Sequence, residues 1–239
     1  MPKSFSIFND TPELADLSEM IFVEGGNFII SSVDEEKREV NVDSFYIGKF
    51  PVTQLLYEKV MGQNPSYFKS DRRPVENVSW NDIQLFFKKL EKEQAQIFKL
   101  PTEVEWEYAA NGGIYWKDNF TYSGGSIIKE LGWYKYNSHE ETKSVGLKLE
   151  NQLGLFDMTG NIWEWCNDRY DENYYKKSPI QKPTVVDSVW HYVTRGGSWG
   201  LSAVNSRVSR RRNYVPTHCS KFLGFRLCFC SPSYRVAGN

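Results

Sequence analysis

Cysteine and arginine are the residue types in this 239-residue chain with the widest chemical reach. Cys166, Cys219, Cys228 and Cys230 could act as nucleophiles or soft-metal ligands, since the thiolate is the reactive form in both roles. His218 adjoins Cys219, and with the Cys228-x-Cys230 pair they would make four ligands. Their spacing matches no structural zinc pattern. Four cysteines clustered in this way do not make a disulfide framework either. Cys228 and Cys230 point to the same face of an expected strand, as buried thiols. From Arg195 onward the chain has eight positive charges (Arg195, Arg207, Arg210, Arg211, Arg212, Lys221, Arg226, Arg235) and no acid. With a net charge of −1 overall, the preceding part carries −9. A basic end on an acidic body suits an anionic partner, and it equally suits arginines used as internal clamps.

Most of these arginines lie in Gly200–Phe222, a run with neither strand nor helix periodicity. It is bracketed by Thr194-Arg195-Gly196-Gly197-Ser198-Trp199 and Leu223-Gly224-Phe225-Arg226-Leu227. The elements that must position it are more legible. Ile21-Phe22-Val23 and Phe28-Ile29-Ile30 read as two strands across the Gly25-Gly26 turn, and Val40–Ile47 as one further strand. Thr53 caps a helix to Met61 that Gly62 stops. Ser79 with Asp82, and Thr102 with Glu105, are capping boxes opening two more helices. Ile162–Cys166 alternates as a strand with Trp163 and Trp165 on one face and Glu164 on the other. Asp168–Asp187 reads as a long loop.

Hydrophobic content of 40% and charged content of 25% are those of an ordinary globular protein, and 8 Trp with 14 Tyr point to a loop-rich fold pinned by large rings. Neither a secretory signal nor a membrane span is visible, so a cytoplasmic or phage- or virion-associated protein is expected. The expected organisation is an arm over residues 1–19 and a single α+β domain over 20–239.

Leu100-Pro101-Thr102-Glu103-Val104-Glu105-Trp106-Glu107-Tyr108-Ala109-Ala110, Gly160-Asn161-Ile162-Trp163-Glu164-Trp165, Arg195-Gly196-Gly197-Ser198-Trp199 and Gly224-Phe225-Arg226 occur in that order. With Gly25-Gly26-Asn27-Phe28 and Pro51-Val52-Thr53, they closely resemble the formylglycine-generating enzyme (sulfatase-modifying factor) family. The resemblance implies a C-type-lectin-like α+β fold with many irregular loops. The family's oxidases hold copper with two cysteines between the Gly-Gly-Ser and Gly-Phe-Arg phrases. Here Trp199–His218 contains none: one registration puts Ala203 and Val208 at those places, the other Ser206 and Arg211. Cys219 alone is not a pair, so no catalytic residue is expected and no cofactor is required.

The pattern looks closer to the variable proteins of diversity-generating retroelements, a branch of the same fold. That branch implies a non-catalytic protein whose variable region, here 199–223, recognises a protein or other macromolecular ligand, such as one at a cell surface. Ala203, Arg207, Arg211, Pro216 and Gly224-Phe225-Arg226 match its framework. The residues between would be the ligand-binding set: Gly200, Leu201, Ser202, Val204, Asn205, Arg210, Arg212, Asn213, Tyr214, Val215, Thr217, His218, Cys219, Ser220 and Phe222. All are reachable from an Asn codon by changing its adenines, whereas Lys221 is not. Tyr214, Phe222, Arg210 and Arg212 are of the types that dominate interface energy. Arg207, Arg211 and Arg226 are expected as framework clamps on carbonyls or carboxylates. Asp157, Gly160, Ile162 and Glu164 match positions that hold calcium in the enzymes, the outer two by side chain and the inner two by carbonyl, so the resemblance implies a structural calcium there. Two alternatives stay open: a copper oxidase of the formylglycine type, and an accessory module with a fixed anionic or nucleic-acid partner.

Overall fold

The computed structural model describes residues 3–30, 38–94, 96–118, 120–171 and 190–230. The first residues that pack are those expected to form an arm. Pro12 opens helix α1 (Pro12–Leu17), capped by Thr11, and Ser4–Ser6 (β1) pairs antiparallel with β2 (Glu19–Val23). Ile7, Phe8, Leu14 and Leu17 are buried, so this stretch contributes to the domain core. Its apolar residues are too sparse for a periodicity rule, and only their tertiary neighbours reveal the burial.

The glycine turn does not join a hairpin. β2 goes on to pair with β5 (Phe45–Gly48), while β3 (Gly26–Ile30) pairs with β4 (Arg38–Val42) in a separate sheet. The run expected as one strand over Val40–Ile47 is therefore two, broken at Asp43-Ser44, where Ser44 Oγ accepts from the Gly25 N–H at 3.0 Å. Gly25 passes so close to this break that a Cβ there would lie 2.3 Å from the Val42 carbonyl oxygen. That approach requires glycine and turns β2 and β3 into different sheets.

Three helices follow the sequence rules closely. Thr53 caps α2 (Gln54–Met61), which ends on Gly62 at φ +76°. Both capping boxes form, at Ser79 for α3 (Trp80–Leu90) and at Thr102 for α4 (Glu103–Ala110). Ile83, Phe86, Phe87 and Leu90 give α3 a single apolar face buried with Val52, Leu56, Tyr57 and Phe225. Ser79→Ala is expected to lower stability by about 1 kcal/mol in urea denaturation without changing the fold. A short helix, α5 (Ile128–Leu131), interrupts the irregular middle of the chain.

The second half is built on β6 (Trp163–Arg169), which runs further than expected, into the stretch read as loop from Asp168. Residues 172–189 of that loop lie outside the described residues. β6 lies inside a four-stranded sheet ordered β8–β7–β6–β9, made with β7 (Tyr192–Arg195), β8 (Arg212–Tyr214) and β9 (Leu223–Phe225). Its two faces fill two cores. Trp163 and Trp165 pack with the helix α3 cluster, and Cys166 packs with Trp106 and Val193 on the other side. The chain then returns to the first sheet, where β10 (Cys228–Cys230) pairs with β5. Cys228 is buried there, but Cys230 ends the strand exposed, so the C-x-C pair is not two buried thiols. All four cysteines are free.

Candidate functional site

The aperiodic run leaves the inner strand β7, forms one edge of the β8–β7–β6–β9 sheet as β8 and re-enters at the other edge as β9. A short 3-10 turn over Ala203–Ser206 and the edge strand β8 are its only regular parts. Its two ends are set by glycines. Gly197 has φ +79°, and a Cβ on it would lie 2.3 Å from Ser206 Oγ. Gly224 pairs with Glu164 in the parallel β6–β9 ladder, and a Cβ there would lie 2.2 Å from the Val75 carbonyl oxygen. Both positions let backbone pack where any side chain would intrude.

Internal clamps hold this framework. Arg211 forks onto Glu103, with Nε to Oε1 at 2.6 Å and Nη2 to Oε2 at 2.9 Å, both groups largely buried. Arg195 is fully buried between Glu107 and Glu103. Arg226, also fully buried, grips both oxygens of Glu164 and donates to the carbonyls of Gly48, Lys49 and Phe156. Much of the basic end is thus neutralised inside the fold. Arg207 departs from its expected clamping role. Its Nε is buried without a hydrogen-bond partner, and its side chain lines a cavity of about 390 Å³ with Glu107, Asn111 and Thr121.

The positions between the clamps face outward. Val204, Arg210, Arg212, Thr217 and Cys219 are exposed, and Leu201, Ser202, Asn205, Asn213, Tyr214, Val215, His218, Ser220 and Phe222 are half-buried. None is fully buried, although Leu201, Tyr214 and Phe222 pack against the α3 core cluster, whereas the interleaved Ser206 and Val208 are buried. Gly200 is the exception in kind. A Cβ on it would lie 2.5 Å from the Phe222 ring, so it acts as a spacer beneath that ring rather than as a contact residue.

Two aromatic groups stand out on this face. At β8, Tyr214 stacks on His218 at 4.3 Å with Arg212 over its ring, and Asn213 Oδ1 lies 2.7 Å from His191 Nδ1. Burial, followed by the Arg212 charge, pushes His218 below the usual imidazole range, which favours a neutral ring in the stack. At the other end Trp199 stacks on Phe222 and meets Phe68 edge-on, with Tyr67 beyond. Tyr67 and Phe68 have no counterpart in the expected set. Their segment, Asn64-Pro65-Ser66-Tyr67-Phe68, reads as an ordinary turn, and only the 68% exposure of Tyr67 marks it.

Neither registration of the missing thiols leaves a metal-binding side chain facing solvent. Val208 and Ser206 are buried, Arg211 is ion-paired, and Ala203 carries only a methyl group. Burial and the Asp82 carboxylate push the Cys219 thiol up, against a hydrogen bond from Ser79, so thiolate formation is disfavoured there. The residues matched to calcium do not form a cradle for it. Glu164 Oε2 accepts from Trp106 Nε1 at 2.7 Å and from Arg226 Nε at 3.1 Å, and Oε1 accepts from Arg226 Nη2. Asp157 is tied to the Gly146 N–H and to Asn161, and burial raises its pKa to about 6. A cation beside Glu164 would face the Arg226 guanidinium. This donor set does not suit calcium. Among the described residues no three His, Cys, Asp or Glu side chains gather as a metal site, and no helix is long and apolar enough to cross a membrane.

Residues 5–229 match the sulfatase-modifying factor enzyme 1-like domain. Chaperone protein LppX of Paenibacillus barcinonensis is 32% identical, the alignment covering 79% of this chain and 80% of that protein. The formylglycine-generating enzyme of Streptomyces coelicolor is 35% identical over 64% of this chain, and the match spans about half (51%) of the enzyme's length. Among solved structures, Treponema denticola variable protein 1 superposes with a TM-score of 0.80 at 27% identity, covering 97% of this chain and 100% of that one. The shared architecture is the C-type-lectin-like fold.

Proposed function

The chain belongs to the sulfatase-modifying factor family, and we propose that it is a non-catalytic member that presents Gly200–Phe222 to a protein or other macromolecular ligand. The observation that carries this reading is the division of labour along that run. Positions expected to vary are exposed or half-buried, while Ser206 and Val208 between them are buried and Arg211 is ion-paired. A diversified binding face needs this arrangement, because side chains can change only where the backbone does not depend on them. The whole-chain likeness to a variable protein supports it. The organisation proposed is one domain, with 199–223 as its variable region and no resident metal.

The likeness to the Streptomyces enzyme favours an oxidase as the second reading, but the thiol pair that would hold copper is absent from Trp199–His218. The third, an anionic or nucleic-acid partner, loses support from Arg195, Arg211 and Arg226 being committed inside the fold. A test uses Val204, Arg210, Arg212, Thr217 and Cys219 exchanged together for other polar and apolar types. The expected result is a melting temperature within a few degrees of the original, on the small scale of surface substitutions, with an altered choice among displayed protein ligands. Loss of cooperative unfolding in that variant would overturn the reading. A near-copy of the DNA encoding 199–226, differing only at adenines and lying beside a reverse transcriptase gene, is the expected genomic counterpart.

A further inference from the structure

Lys221 is the residue of this run that adenine replacement does not reach, and its surroundings give it a role. Its Nζ lies 5.2 Å from the ring centroid of Tyr67, 5.9 Å from Phe68, 5.3 Å from Trp199 and 5.6 Å from Phe222. Among the described residues its ammonium makes no salt bridge or hydrogen bond. The four rings brace one another. Trp199 stacks on Phe222 at 4.5 Å, Phe68 meets Trp199 edge-on at 5.5 Å, and Tyr67 meets Phe68 edge-on at 4.9 Å. Trp199 Nε1 also donates to the Lys221 carbonyl at 3.0 Å, which fixes the indole independently of the lysine side chain.

A carboxylate backs the recess. Glu76 is fully buried, and its Oε1 accepts the backbone N–H groups of Tyr67 at 2.6 Å and Phe68 at 2.9 Å. Its Oε2 is buried with no hydrogen-bond partner. Lys69, the other cation acting on Glu76, has its Nζ engaged with the Asn64 carbonyl at 2.6 Å. Four ring faces attract an alkylammonium group through their quadrupoles, and the buried Glu76 carboxyl, whose pKa burial raises, interacts with the Lys221 charge. Tyr67 is exposed, Phe68, Lys221 and Phe222 are half-buried, and Trp199 is buried.

We propose that the Tyr67–Phe68–Trp199–Phe222 recess is a subsite for a lysine side chain presented by the partner, and that Lys221 is its resident occupant in the free protein. The inference rests on the reading of this face as a binding surface and adds one element to it. Tyr67, Phe68 and Trp199 would be constant, so part of the recognition would be shared by all variants while Phe222 and its neighbours tune it. A flexible lysine stem can swing clear without disturbing the rings, so an incoming ammonium would exchange with Lys221.

The test titrates N-acetyl-lysine methylamide against wild type and Lys221→Ala, following the Trp199 indole N–H by NMR, assigned with Trp199→Phe. The neutral control is the same compound acetylated at its side-chain nitrogen. Vacating the recess is expected to tighten binding about tenfold over wild type and over the neutral control, the scale of a partly desolvated cation–π contact. Phe222→Ala added to Lys221→Ala should weaken binding again. Lys221→Gln serves as the second variant should the alanine protein fail to fold. Equal binding of the neutral compound, or no gain on removing Lys221 from a folded protein, would overturn the proposal. These probes need no diversified partner, so failure here would leave the multi-residue exchange experiment unaffected, and the converse holds.

Discussion

Arg226→Ala is expected to cost roughly 3–5 kcal/mol of folding stability, the scale for breaking one side of a buried ion pair. That is a large part of the margin of an ordinary domain, about 5–15 kcal/mol. The guanidinium is fully buried and donates to five oxygens: Glu164 Oε1 and Oε2 at 2.9 and 3.1 Å, Gly48 O at 2.7 Å, Lys49 O at 3.0 Å and Phe156 O at 2.7 Å. It therefore joins the end of β5, the start of β6 and the loop at Phe156 to the strand leaving the binding face. Alanine would leave Glu164 charged in the core, with only Trp106 donating to it among its present partners, and three carbonyls would lose a donor. Removing both charges should cost less than removing one, because no charge is then stranded. Urea denaturation of Arg226→Met, Glu164→Leu and the double variant measures this. A single substitution no more costly than the double would contradict the account.

Asp157→Asn is expected to stabilise the protein above pH 6 by up to about 3 kcal/mol, because burial holds the Asp157 carboxyl at about 6. Burial is the main cause that lifts the Asp157 carboxyl from 3.8 to about 6, and Glu164 pushes the same way. The Gly146 N–H, Arg226 and Asn161 pull against it. Because the folded pKa is raised, the folded state binds the proton more tightly than the unfolded chain. Stability from this group is thus fully present below about pH 4, falls as pH rises through 4 to 6, and stays reduced above. Asparagine removes that loss, keeps an acceptor for Gly146 at the expense of the one for Asn161 Nδ2, and tolerates the left-handed backbone at φ +56°. Melting curves from pH 4 to 8 should show the two proteins diverging upward from about pH 4. Asp168, likewise raised to about 6 mainly by burial, should leave a residual slope in the variant. Parallel curves would refute the assignment to Asp157.

Much of the local structure was legible in residue order. Capping boxes at Ser79 and Thr102, and the Gly62 stop, depend on groups within one turn of each other, so short-range rules apply. The family phrases and the lack of thiols in Trp199–His218 are likewise matters of order, readable without any tertiary contact. The rules failed where residues meet from afar. The turn at Gly25-Gly26 suggested a hairpin because nothing nearby shows that Val42 and Ser44 would crowd it. Residues 1–19 looked like an arm because their few apolar side chains acquire meaning only beside α2 and β5.

For the site, the sequence by itself determined which residue types line Gly200–Phe222, and that none is a catalytic thiol pair. Only the tertiary structure decided what each one does. Arg211 and Glu103 are 108 positions apart, and Arg226 and Glu164 are 62 apart, so composition could count their charges but could not pair them. Tyr67 and Phe68 reach Trp199 and Lys221 from a distant turn, and Gly200 proves to be a spacer only once the Phe222 ring is seen above it. Charge pairing, burial and ring contact depend on distance in space, and chain order constrains that distance only for near neighbours.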